Sequence, residues 1–175
     1  QTPFLLINGQ MYFGPMDYIS MDQVISLIVL GEHQFDTCPP ITIDPLKQYI
    51  ATLYTEKGEI VIQLYADKAP VTVNSFVFLV KNGWYDDITF FRVIVGKYAQ
   101  TGDPSGTGFG NAGYFTIDEF DPSLKYDRPG VVGMYNPGGG TNGGQFFITY
   151  SALPQFDGQY TVFGQVLSGM DVLAE

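Results

Sequence analysis

The sequence predicts a mainly β domain, a closed barrel with its ends plugged by helices, preceded by an N-terminal extension. Three observations point there. Glycine (21) and proline (11) make up nearly a fifth of the 175 residues, so the chain turns often. Apolar residues reach 45% and aromatics 15%, enough for a sizeable core and too many for a disordered chain. From Tyr49 onward, six to eight short β-rich runs are joined by Gly-rich loops, with one central and one terminal helical stretch. The length suits one domain plus a modest extension.

Residues 1–48 form the extension. They carry Asp17, Asp22, Glu32, Asp36 and Asp44, while the first basic residue is Lys47. Phe4, Leu5, Leu6 and Ile7 form an apolar run that reads as a strand or docked edge. Ser20-Met21-Asp22-Gln23 has the S-x-x-Q pattern of a capping box. Val24, Ile25, Leu27 and Ile28 then give an apolar stripe, and Gly31 suits a stop, so a helix is predicted over about 21–30. So short a helix is unstable alone, and it is expected to pack on the barrel or on a second copy. Pro39-Pro40 and Pro45 read as a stiff connector.

The barrel domain is expected over 49–175. Ile50–Tyr54 and Ile60–Tyr65 flank Glu56-Lys57-Gly58-Glu59 as a hairpin. Pro70 pre-sets the first turn of a helix over Val71–Lys81, with Val73, Phe76, Val77 and Val80 as its apolar positions and Asn82-Gly83 as its end. Ile88–Val95, Tyr98–Thr101, Gly130–Met134, Gln145–Thr149 and Thr161–Val166 read as strands. Ser168–Asp171 opens a last helix.

Charge and rare residues exclude several functions. Eight basic against eighteen acidic residues give a net charge of −10, which argues against nucleic acid as a main partner. The single cysteine, Cys38, rules out an intrachain disulfide or a cysteine metal cluster. The single histidine, His33, reads as a surface residue after a short helix, so the chemistry avoids His and Cys. The longest apolar run, Phe76–Val80, is five residues, against the roughly 20 that span a bilayer.

Two glycine motifs fail as nucleotide loops. Gly108–Gly113 matches G-x-G-x-x-G, but Tyr114-Phe115-Thr116-Ile117 follows as an extended segment where a helix is needed. Gly138–Gly144 lacks the phosphate-binding Lys. Asp103, Asp118, Glu119 and Asp121 fit no calcium loop and read as solvated surface. Arg92 is more informative. It interrupts the apolar run Thr89–Val95 and shares a face with Phe90 and Ile94. A guanidinium keeps its charge, so it reaches a rim or a carboxylate. Gln100 and Gln145, the latter beside Phe146-Phe147, add neutral polar groups on β-rich segments. Such a set suits binding an extended peptide or stabilising a twisted peptide bond.

Phe90-Phe91-Arg92-Val93-Ile94, Gln100-Thr101-Gly102-Asp103 and Thr141–Ile148 together resemble the cyclophilin family of peptidyl-prolyl isomerases. Phe156-Asp157-Gly158 and Val162–Val166 extend the likeness, which runs in order from about Tyr49. The resemblance implies an eight-stranded closed barrel capped by two helices, with the substrate groove on its outer face. It implies catalytic roles for Arg92, Gln100 and Phe147, with Phe147 as floor of the proline pocket. Asn136, through its backbone, and Gln145 would bind substrate, and no cofactor is required.

This chain departs from the family at Lys97, Tyr98, Tyr135, Gln155, Phe156 and Tyr160, all placed by the resemblance around the substrate. Lys97 brings charge and Tyr135 bulk beside the pocket, and Gln155 replaces the usual Trp. Weak or absent cyclosporin binding is therefore expected. The expected function is cis–trans isomerisation of X-Pro bonds in peptides or unfolded chains; the alternative is a non-catalytic binder of proline-containing or extended segments. A start at Gln1 and the acidic, nearly Cys-free composition suit an extracytoplasmic, bacterial protein.

Overall fold

The computed structural model describes residues 4–174. Its elements run β1 (Leu5–Ile7), β2 (Gln10–Tyr12), α1 (Tyr18–Gly31), β3 (Tyr49–Thr55), β4 (Gly58–Leu64), α2 (Pro70–Lys81), β5 (Arg92–Ile94), β6 (Tyr98–Thr101), β7 (Val131–Met134), β8 (Phe146–Thr149), β9 (Val162–Ser168) and α3 (Met170–Leu173). Strands β3 to β9 form one curled antiparallel sheet in the order β3-β4-β9-β7-β8-β6-β5. β1 and β2 form a separate hairpin, turned by Asn8 and Gly9, both at positive φ.

Register gives each face of the sheet its own core. Ala99, Val132, Met134, Phe146 and Ile148 face inward and pack with Ile62, Leu64 and with Val73 and Phe76 of α2. The alternate residues of β7 and β8, Val131 and Phe147, face outward into a second cluster with Tyr126, Leu153 and Val162. Both strands are buried throughout, which explains their unbroken apolar runs.

The sheet has seven strands with edges at β3 and β5, where a closed ring of eight was expected. Of the expected strand Ile88–Val95, only Arg92–Ile94 pairs. Asp87 takes φ 58°, and residues 88–91 after it stay outside the ladder, which the chain joins at Arg92. An apolar cleft of about 770 Å³ separates β3 from Ile88 and Phe90.

Two helices differ from expectation. α1 begins at Tyr18 because Asp17, not Ser20, caps it: the carboxylate accepts from the Ser20 N–H at 3.0 Å and hydroxyl at 2.8 Å. The carboxylate makes two charge-assisted hydrogen bonds there, stronger than those a neutral hydroxyl would accept. Only Leu30 of α1 is buried, while Ile25 stays exposed. In α2, Leu79 is buried and Val80 is exposed, so the apolar face is rotated from the expected stripe.

The extension is joined to the barrel by specific contacts. The Asn74 side chain accepts from the Thr42 N–H at 2.8 Å and donates to the Pro40 carbonyl at 3.0 Å. Phe35 packs edge-on against Phe78 at 4.9 Å and also meets Trp84 and Tyr114. Among the described residues, no helix is long and apolar enough to cross a membrane.

The acidic residues read as solvated are structural acceptors. Asp103 is buried and accepts from the N–H groups of Ser105, Gly108 and Gly110. Glu119 caps α2, accepting from the Val71 and Thr72 N–H groups. Asp118 accepts from Asn136, Asn142 and Gly140. Asp121 alone is shared between Ser123 and an ion pair with Lys68 at 3.5 Å.

Deleting residues 1–46 uncovers Trp84 and Tyr114 and removes Ile43. The truncated chain should melt several degrees lower or aggregate, read by calorimetry and light scattering. An unchanged melting temperature in a monomer would show the extension to be a tether.

Candidate active site

Three predicted site residues lie in one row across the sheet. Arg92 on β5 pairs with Gln100 on β6, Gln100 pairs with Phe147 on β8, and Phe147 pairs with Gly133 on β7. Directly opposed residues of antiparallel strands share a face, so this row lies on the outside of the sheet. Gly133 must lack a side chain, because a Cβ there would run into Phe147 and the Tyr126 ring.

The polar half of the row is a chain of neutral amides. The Gln145 Nε2 group donates to the carbonyls of Gly110 at 2.8 Å and Gly108 at 3.1 Å. Its Oε1 accepts from Gln100 Nε2 at 2.8 Å. Gln100 Oε1 therefore faces Arg92, whose guanidinium donates to it at 3.4 Å. The guanidinium also sits 5.9 Å from the centroid of the Tyr135 ring, a cation–π contact. Among the described residues no carboxylate pairs with Arg92. The ion pair that would explain Arg92 structurally is not formed, so its charge is oriented and unneutralised.

The apolar half is aromatic. Phe147 is ringed by Tyr98 at 5.3 Å, Tyr160 at 5.5 Å, Phe156 at 5.6 Å and Tyr126, stacked at 5.6 Å. Tyr135 stacks on Tyr160 at 6.3 Å and so links this cluster to Arg92. Asn136 is buried, and its side chain donates to Asp118 and Asn142. Its own N–H and C=O make no hydrogen bond among the described residues.

Lys97 and Gln155 are exposed and take no side-chain part in the site's hydrogen bonds or aromatic contacts. The charge of Lys97 therefore stands in solvent. Tyr126 was not foreseen. It is fully buried beneath Phe147, and its hydroxyl donates to the Tyr160 carbonyl at 3.2 Å. Its surroundings, Lys125 and Asp127, give no apolar periodicity that would mark it as core. The acceptor carbonyls of Gly108 and Gly110 were equally invisible, since any residue supplies a carbonyl.

The sequence and the fold correspond to a known family. A sequence model described as cyclophilin type peptidyl-prolyl cis-trans isomerase/CLD matches residues 50–175. Peptidyl-prolyl cis-trans isomerase A of Mycobacterium tuberculosis is 41% identical over 145 residues, covering 74% of this chain and 80% of that protein. Peptidyl-prolyl cis-trans isomerase-like 2 of Rhizopus delemar is 46% identical over 133 residues, 74% of this chain but only 25% of that longer protein. A crystal structure of a cyclophilin-type isomerase from Cryptosporidium parvum superposes with a TM-score of 0.69 at 38% identity, covering 72% of this chain and 83% of the other. The chain belongs to the cyclophilin-type peptidyl-prolyl cis-trans isomerases, and it is an enzyme of that class.

Burial shifts the site's phenols. Desolvation pushes Tyr126 well above its usual range and raises Tyr160, with nearby Tyr135 and Tyr98 adding to the latter. Burial likewise lifts Tyr114, under the extension, to about 12 despite its bond to Ser75. A phenol whose folded pKa is raised contributes stability that is complete below the unfolded value of about 10 and lost as pH climbs past it. Thermal melts from pH 7 to 11.5 should therefore steepen downward above pH 10, less so in Tyr126→Phe. A steep loss already below pH 9 would contradict these assignments.

Proposed function

We propose that this chain catalyses X-Pro isomerisation in peptides or unfolded chains on the outer face of the sheet, and that Arg92, Gln100 and Phe147 are the residues that do so. The observation that carries the assignment is the unneutralised Arg92 guanidinium, aligned with Gln100 and Phe147 in one cross-strand row. Rotation about the X-Pro bond must break amide resonance, a barrier of about 18–20 kcal/mol. In the twisted state the nitrogen is pyramidal and more basic, and a donor there stabilises that state more than either planar form. Arg92 supplies the donor. Gln100 holds it, and Phe147 with Tyr98, Phe156 and Tyr160 receives the proline ring.

The free backbone groups of Asn136 suit an extended peptide running past the pocket, while Gln145 acts on the substrate by holding Gln100. Tyr135, Lys97 and Gln155 form the rim, and Tyr135 narrows the mouth. A related solved structure, from Cryptosporidium parvum, was determined in the presence of the dipeptide Ala-Pro, which fits such a ligand class. The substrate is the X-Pro segment of a folding or unfolded chain.

Two further readings accompany this one. An eighth strand lying between β3 and Ile88–Phe90 would close the sheet into a full barrel, supported by the apolar cleft there and the unpaired edge of β3. An extracytoplasmic location is supported only by the acidic, nearly Cys-free composition, and the precursor sequence tests it. The relatives come from fungi and mycobacteria alike, so similarity does not single out a bacterial source.

A protease-coupled assay on a proline tetrapeptide should show a rate above the uncatalysed one. Arg92→Ala should lose most of that rate, at least tenfold, while keeping its melting temperature. Arg92→Lys should be nearly as poor, because the planar fork sets the donor's direction. Normal rates in both variants would reduce Arg92 to a surface residue. Cyclosporin should inhibit only weakly, since Gln155 and Tyr135 reshape the rim; submicromolar inhibition would contradict that.

A further inference from the structure

The extension lies outside the residues matched by the family model, yet it touches the loop that orients the catalytic row. Gln34 Nε2 donates to the Asn111 carbonyl at 2.9 Å and to the Asn111 side-chain oxygen at 3.2 Å. The Phe35 N–H donates to the Ala112 carbonyl at 2.9 Å. Leu30, the buried end of α1, presses on Gly110 so closely that a Cβ there would collide with it, and Gly113 meets the Phe35 carbonyl in the same way. Residues 110–113 are thus held from outside by four successive contacts.

The same loop faces the site on its inner side. Gly110 and Gly108 present the two carbonyls that fix Gln145 Nε2, and through Gln145 the direction of Gln100 and Arg92. The buried Asp103 carboxylate holds the N–H groups of Gly108 and Gly110, so the peptides are pinned from within. Beyond Gly110 the carbonyls of Asn111 and Ala112 are held by the extension among the described residues, while on the barrel side the Ala112 N–H donates to the Gly143 carbonyl at 2.8 Å.

We infer that Gln34 and Phe35 are positioning residues for catalysis: the extension sets the Gly110 carbonyl, and thereby the orientation of the Gln145–Gln100–Arg92 chain. This rests on the assignment of Arg92 above. The physical basis is the sharp angular dependence of hydrogen bonds, which weaken steeply as alignment is lost. A small shift of residue 110 realigns Gln145, and the change reaches, through Gln100, a guanidinium held by a 3.4 Å bond. Sequence could not show this, because Gln34 and Asn111 lie 77 residues apart.

The test is the full-length Gln34→Ala variant, assayed well below its melting temperature beside wild type, Arg92→Ala and Ile19→Ala, an exposed change elsewhere on α1. Losing one net hydrogen bond's worth of alignment should lower kcat about two- to tenfold, with KM unchanged and Ile19→Ala at wild-type rate. The side-chain amide resonances of Gln100 and Gln145 should move in the ¹⁵N spectrum of Gln34→Ala. If that variant is too unstable, Gln34→Glu keeps the packing and sets an acceptor against two acceptors, with the same expectation. A wild-type kcat with unmoved Gln145 resonances overturns the inference while Arg92→Ala remains impaired. If Arg92→Ala is itself fully active, the failure lies in the underlying assignment.

Discussion

The hydrogen bond from Gln100 Nε2 to Gln145 Oε1, 2.8 Å long and buried, determines which way the polar row on the outer face points. An amide has a donor end and an acceptor end. Gln145 meets two backbone carbonyls, so its nitrogen must lie toward Gly108 and Gly110 and its oxygen toward Gln100. Gln100 must then offer its own nitrogen inward and its oxygen outward, to Arg92. Flipping either amide would set oxygen against oxygen in a buried site and leave a donor unsatisfied, a cost of about 1–3 kcal/mol. The arrangement orients a permanent cation without neutralising it, which an ion pair could not do.

That chain exists because β6 and β8 carry different chemistry on alternate residues. Gln100 faces out while Ala99 faces the inner core, and Phe147 faces out between Phe146 and Ile148. Both faces of the central strands are apolar-packed, so a one-residue slip would bury Gln100 among Phe76, Phe146 and Phe163. Register is therefore strongly specified. The outer aromatics need room, and Gly133 provides it: the Tyr126 ring lies where a side chain would be. Tyr126 then braces Phe147 from below and the Tyr160 backbone from the side.

Much of the site was legible from residue type. Arg92 stood out as a charge in an apolar run, and Gln100, Gln145 and Phe147 as polar or aromatic residues in β-rich segments. Their alignment in one row was not legible, because register between strands 8 to 47 residues apart depends on loops whose geometry the sequence does not display. Local competition misled the start of α1, where Asp17 outcompetes Ser20. The acidic residues were misread for two reasons: Asp118 and Glu119 find backbone N–H groups on distant segments, while Asp103 is enclosed by the turns of its own loop, at Ser105, Gly108 and Gly110. The strand Ile88–Val95 had the right composition along its length. Only Arg92, Val93 and Ile94 of it pair, and Ile88 to Phe91 stay outside the ladder. Lys97 and Gln155 rest on position in a pattern alone, and both are exposed with no side-chain contact to the row.

The central claim is that Gln145 acts on the reaction through Gln100 and Arg92, and a double-mutant cycle measures that directly. kcat/KM would be determined for wild type, Gln145→Leu, Arg92→Ala and the double variant. Residues acting through one chain are strongly non-additive, so Gln145→Leu should be costly in the wild-type background and nearly silent once Arg92 is gone. Equal fold-losses in both backgrounds would show that the two side chains act independently, and the relay would not exist.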